Sequence, residues 1–153
     1  MELAYPGFYA MLTFELVFIE ADIDQNMDLL NLNWSFALGQ HSQPCLGVRL
    51  DEKNSAVYFS GDGQPSKETT TLAKGCDLII HEAYGIEPIL DAHGSVDGCI
   101  TFGRKTGTRH LALVHMNRRV RKKHAASVRK KLNALEDYHA FLPDPGDSLM
   151  IGE

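Results

Sequence analysis

Three nearly unbroken apolar runs constrain this chain more than any other feature: "AVYFS" (Ala56–Ser60), "DLIIHEA" (Asp77–Ala83) and "HLALVHM" (His110–Met116). Runs of this kind read as central strands covered on both faces. The stretches between and after them read as helices. Ser66–Lys74 opens on Ser66 as N-cap and stops at Gly75, and Ser95–Thr106 opens on Ser95 and stops at Gly107. Val120–Leu135 sets Val120, His124, Val128, Leu132 and Leu135 on one stripe, with basic residues around most of the remainder. Upstream, "LTFELVFIEA" (Leu12–Ala21), "WSFALGQH" (Trp34–His41) and "CLGVRL" (Cys45–Leu50) read as strands, and "SLMIG" follows the turn-rich "PDPGD" as a last short one. Residues 1–153 show no repeat or linker, so the expectation is a single α/β domain: a mixed sheet with helices on one face.

Cysteine usage and charge narrow the function classes. Cys45, Cys76 and Cys99 are odd in number and form no C-x-x-C pair, which argues against a disulfide framework or a cysteine-built zinc site and fits a reducing cytoplasm. The apolar N-terminus is interrupted by Pro6, Gly7 and Glu15 with no basic residue before it, so neither a signal peptide nor a membrane span is expected. A net charge of −5 conceals an asymmetry: Gly98–Leu135 holds no acidic residue but many lysines and arginines. Such polarity marks an anionic substrate or nucleic acid, or else a solvated helix face.

The polar residues that need explaining lie at the C-terminal ends of the expected strands. His41 ends one, Asp62 follows the next, His81–Glu82 and His115 end two more, and His93 lies in the loop "DAHGS". That edge of an α/β sheet is where ligands bind. A carboxylate with imidazoles there suits a divalent metal, because zinc takes histidine nitrogen and carboxylate oxygen. Plainer roles stay open: Asp62 in "GDG" is a good turn residue, and a histidine in an apolar strand is more often a hydrogen-bonded core residue. His110, His124 and His139 are read as structural, and no compact metal motif such as H-E-x-x-H is present.

Taken together, "VYFSGDGQPSKETTTLAKGCDLIIHEAYG", "HGS" and "RHLALVHMNRRV" resemble the second half of a metallo-β-lactamase-fold hydrolase of the ribonuclease Z and phosphodiesterase branch. That branch carries a strand–"SGDT"–helix segment, then "HEAT", "HST" and "LTHIS-x-R", in this order. "GQHSQPCLGVRL" resembles its earlier segment, and the likeness runs from about His41 to the end. The resemblance implies an αβ/βα sandwich, of which this chain is the C-terminal half. It implies two zinc ions, with His41 a ligand of one, His115 of the other and Asp62 between them. Glu82 and His93 would form an acid–base pair, with His81 behind the site, and Arg118, Arg119 and Arg121 would hold an anionic substrate, RNA included.

Three positions depart from the family pattern: Gly63 and Tyr84 stand where it has threonine, and Gly94 where it has serine. These bear on transfer-RNA processing more than on hydrolysis. The larger departure is that the family's H-x-H-x-D-H occurs nowhere; the first histidine is His41. With an incomplete ligand set, the expected hydrolase is inactive or weak until a complementary N-terminal half, or a second copy, completes it. A non-catalytic binding or assembly module is the alternative, and a lactone or thioester hydrolase the alternative within the fold. The "HEA…HGS" pair argues against the latter.

Overall fold

The computed structural model describes residues 6–88 and 92–152. Among them, seven strands form one mixed sheet in chain order: β1 (Met27–Leu29), β2 (Leu32–Leu38), β3 (Leu46–Glu52), β4 (Ser55–Phe59), β5 (Leu78–Glu82), β6 (His110–Val114) and β7 (His139–Phe141). The first four are an antiparallel meander, and β4 to β7 run parallel. Parallel neighbours need crossovers, and these are α1 (Lys67–Leu72), α2 (Val96–Thr106) and α3 (Arg118–Asn133).

Local chemistry sets the helix ends. Ser66 Oγ accepts from Thr69 N while the Thr69 hydroxyl returns to Ser66 N, a capping box. Ser95 Oγ caps α2 at Gly98 N, and Gly107 closes it at φ 69, where a Cβ would be disfavoured. Asn117 Oδ1 accepts from Arg119 N and Val120 N, which starts α3 two residues earlier than its apolar stripe. The register then builds the core. Tyr58, Ile79, Leu111 and Ala140 pair across β4 to β7, are all fully buried, and join Cys99, Phe102, Val128 and Leu132 in one cluster.

The opposite face is different. Phe36, Val48, Phe59, Ile80, Ala112 and Phe141 lie in register across it, with Trp34, Leu50, Val57 and Leu78 in the next row. Burial along β4 and β5 alternates, and Phe59 is 46% exposed. The expectation of strands covered on both faces holds for β6, where Leu111, Ala112 and Leu113 are all buried, and is corrected for β4 and β5, whose second face is apolar but only partly covered.

Three elements differ from expectation. Leu12–Ala21 forms no strand; Phe14 and Phe18 are exposed, and a 3-10 turn at Tyr9–Met11 is the only regular element before β1 among the described residues. Its β-branched and aromatic residues favour a strand only where a partner strand lies beside them. Met1–Tyr5 lie outside the described residues. "SLMIG" pairs with no strand among the described residues, while "HAF" does, as β7; three residues are recognisable only through their register with β6. β1 escapes notice because its hairpin turns on Leu30–Asn31, at φ 57 and 62, in place of an Asn-Gly pair.

Candidate functional site

Asp62, Glu82 and His115 come from the C-terminal ends of three adjacent strands. The loop after β4 is fastened from both sides. Ser60 N donates to Ile80 O and Ser60 Oγ accepts from Glu82 N, at 3.0 and 2.9 Å. Asp62 N donates to Cys45 Sγ at 3.2 Å. The Asp62 carboxylate is thereby left half-exposed, with Oδ1 3.6 Å from His115 Nε2. His115 itself sits at φ 50 directly after β6, in the left-handed region that L-residues avoid.

Glu82 ends β5 fully buried, and its carboxylate is the most constrained group in the site. Oε1 accepts from Gly63 N at 2.5 Å, Gly94 N at 3.1 Å and His93 Nδ1 at 3.1 Å, while Oε2 lies 3.2 Å from the same Nδ1. A carboxylate only accepts, so Nδ1 of His93 carries the hydrogen and Nε2 is left for chemistry. At two of the departures from the family pattern this backbone leaves no room for a side chain. Gly63 has φ +131 and a Cβ there would stand 2.9 Å from Gln40 O, while one on Gly94 would stand 2.4 Å from Glu82 O. A side chain on Gly94 would press on the Glu82 backbone, and one on Gly63 on the turn that carries His41.

Behind the site, the buried His81 places Nδ1 2.9 Å from Glu82 O and its ring edge-on to Phe102. Burial pushes its pKa down, so the ring is neutral and donates to that carbonyl. The Cys99 thiol donates to the same oxygen at 3.1 Å, and burial pushes its pKa far up, which leaves it an inert packing group.

Donor atoms of Asp62, Glu82 and His115 all lie within 4.8 Å of one another. Two carboxylates and an imidazole at that spacing fit a divalent ion of borderline hardness. His41 is not in this group. It lies in the turn after β2, accepts from Gln43 N at Nδ1, and meets the site through its ring, 5.0 Å from that of His93. Glu82, expected only as a proton-transfer partner, thus stands among the possible ligands. His93 ties the parts together, stacked 4.6 Å from the Tyr84 ring and 6.4 Å from that of His115.

The arginines divide. Arg121 Nη2 donates to Pro143 O at 2.6 Å and Asp144 Oδ1 at 2.8 Å, so it fastens α3 to the segment after β7. Arg118 and Arg119 carry no ion pair among the described residues and stand at the α3 N-terminus. Ser60, Cys45, Tyr84 and Asn117 were not anticipated as supports. Asn117 alone carried a usable signal, as a cap residue before a helix.

Comparison with known proteins settles the architecture. The metallo-β-lactamase fold protein YhfI from Bacillus subtilis superposes with a TM-score of 0.72 at 15% identity, over 95% of this chain and 61% of that one. A diphosphatase of the PhnP family gives a TM-score of 0.66 at 14% identity, over 99% and 54% of the two chains. This is a metallo-β-lactamase fold. In sequence, the chain is similar to ribonuclease Z: 30% identity to that of Natronomonas pharaonis over 100 residues, 62% of this chain and 32% of the relative. Ribonuclease Z 1 of Schizosaccharomyces pombe is 28% identical over 102 residues, 63% of this chain and 12% of the relative. The metallo-β-lactamase-fold chain therefore spans a third or less of the length of these curated relatives, and no family model matches it.

Proposed function

We propose that this chain supplies the second half of a zinc-dependent hydrolase of phosphodiester-like substrates, RNA among them. One observation carries the reading: Asp62, the Glu82–His93 pair and His115 converge at the C-terminal ends of three adjacent parallel strands. Asp62 and His115 would hold metal, with His41 toward a second ion, and an ion there supplies Lewis-acid polarisation of a phosphoryl oxygen. Glu82 fixes the tautomer and orientation of His93, whose Nε2 hands a proton to the departing oxygen. Arg118 and Arg119 attract the phosphate backbone. The likeness to ribonuclease Z supports RNA as the substrate class. The free Cys45, Cys76 and Cys99 support a cytoplasmic setting; among the described residues no helix is long and apolar enough to cross a membrane.

The H-x-H-x-D-H contribution would come from a complementary half packed on the open face of the sheet. A second reading, a non-catalytic binding or assembly module, is favoured by the absence of that motif from the sequence. The two part in one experiment. The chain is mixed with, or joined to, a metallo-β-lactamase-fold half bearing the motif, and hydrolysis of bis(p-nitrophenyl) phosphate is followed with zinc and with chelator. Hydrolysis lost on chelation and in both Asp62→Ala and His115→Ala supports the hydrolase. A stable complex without hydrolysis, or turnover indifferent to both variants, overturns it.

A further inference from the structure

Beside His93 lies a cavity of about 310 Å³ between the end of β5 and the start of α3. Tyr84, His93, Asn117, Arg119 and Val120 wall it, with Gly85 and Gly94 adding backbone only. Its volume is at the lower end of the ~300–1,000 Å³ typical of small-molecule sites, enough for one ring system and not for a folded segment.

The polar groups of its frame are engaged with one another. Asn117 N donates to Tyr84 O, Asn117 Nδ2 donates to Tyr84 Oη at 2.9 Å, and Asn117 Oδ1 caps α3. Tyr84 N donates to Gly94 O. What remains for a ligand is an aromatic and aliphatic wall with one guanidinium, Arg119, that has no ion pair among the described residues. This combination matches a flat apolar ring joined to an anion. One wall is the ring of His93, so a ligand here borders the group that would protonate the departing oxygen.

We infer that this cavity is a nucleobase subsite: it takes the base adjoining the scissile phosphate against Tyr84, and Arg119 takes the phosphate. The inference rests on the phosphodiester reading above and adds to it. Base–aromatic stacking is sequence-tolerant and worth roughly tenfold or more in affinity. It also assigns a role to Tyr84 in place of the family's threonine: the wider residue forms the wall on which the base stacks.

The test is a pair of titrations of the full chain in chelator at low salt, so that metal plays no part. Adenosine 5′-monophosphate and ribose 5-phosphate differ in the base alone. The nucleotide should bind about tenfold tighter or better, with amide shift changes centred on Tyr84, Gly85, Arg119 and Val120. Tyr84→Ala should reduce its affinity to that of ribose 5-phosphate, Tyr84→Phe should keep the preference, and Arg119→Ala should weaken both ligands alike. Equal affinity of the unaltered chain for the two ligands overturns the subsite, whatever the variants do. So does a preference that survives Tyr84→Ala. Hydrolysis without base preference would reject the subsite and spare the hydrolase; base preference without hydrolysis would do the reverse.

Discussion

His115 holds a left-handed φ of 50 at the end of β6 with its imidazole turned toward Asp62. A non-glycine residue in that region costs on the order of 1–3 kcal/mol, and such strain collects at functional sites. His115→Gly should therefore raise stability by about 0.5–1 kcal/mol after the unfolded-state entropy of glycine is allowed for, while weakening zinc binding. Chemical denaturation and a zinc titration of the same variant check both halves; a destabilised variant would show that the imidazole holds the fold. His93 is the contrasting residue, since the proposed function gives it a proton to hand over. In the completed enzyme, His93→Ala should slow cleavage of an alkoxide-releasing diester by about 10²–10⁴-fold yet barely affect nitrophenolate release, which needs no proton. Equal losses on the two substrates would make His93 a positioning residue.

At the scale of the element, β5 joins the site to the core. His81 and Glu82 are consecutive, so their side chains leave the strand on opposite sides: His81 packs on Phe102, and Glu82 turns to Gly63, Gly94 and His93. His81 also gives β5 a pH dependence. Burial lowers its folded pKa below the ordinary 6.5, so the unfolded chain takes up a proton near that value while the folded chain does not. Stability is whole above about pH 6.5 and declines as pH falls below it, by up to about 1.4 kcal/mol per pH unit from this residue. His110, lowered by burial, His139 and Arg109, acts with the same sign. Thermal melts between about pH 5 and 7.5 should show the decline, and His81→Leu should flatten it. An unchanged slope in that variant would assign the effect elsewhere.

For the whole molecule the open face governs behaviour. Two in-register rows of apolar side chains span the sheet opposite its helices, mostly half-buried with Phe59 exposed, and exposed apolar patches mark contact surfaces. Leaving ~400 Å² of such surface wet forgoes about 10 kcal/mol, as much as a domain's entire stability. The chain at micromolar concentration should therefore associate through this face, with Phe59→Glu reducing association. Light scattering with a melt and a hydrophobic dye decides the matter. A strictly monomeric chain that melts sharply and binds no dye would show that the face needs no cover.

Local chemistry was legible in the amino-acid sequence alone: apolar runs long enough to be strands, cap residues Ser66 and Ser95 and the stop at Gly107, and polar residues at strand ends. These follow from interactions within a few residues along the chain, which is why β4, β5, β6, α1 and α2 stand close to where the pattern sets them. The tertiary structure alone decided what depends on distant partners. Leu12–Ala21, rich in strand-forming residues, has no neighbour to pair with among the described residues, while a plain "HAF" does, because a strand is completed by hydrogen bonds from another strand. The same holds in the site, where Asp62 and His115 meet across 53 residues and Arg121 pairs with Asp144. Gly63 and Gly94, mere departures from a family pattern in one dimension, show their reason only in the fold, where a side chain would meet the Gln40 carbonyl at one and the Glu82 carbonyl at the other.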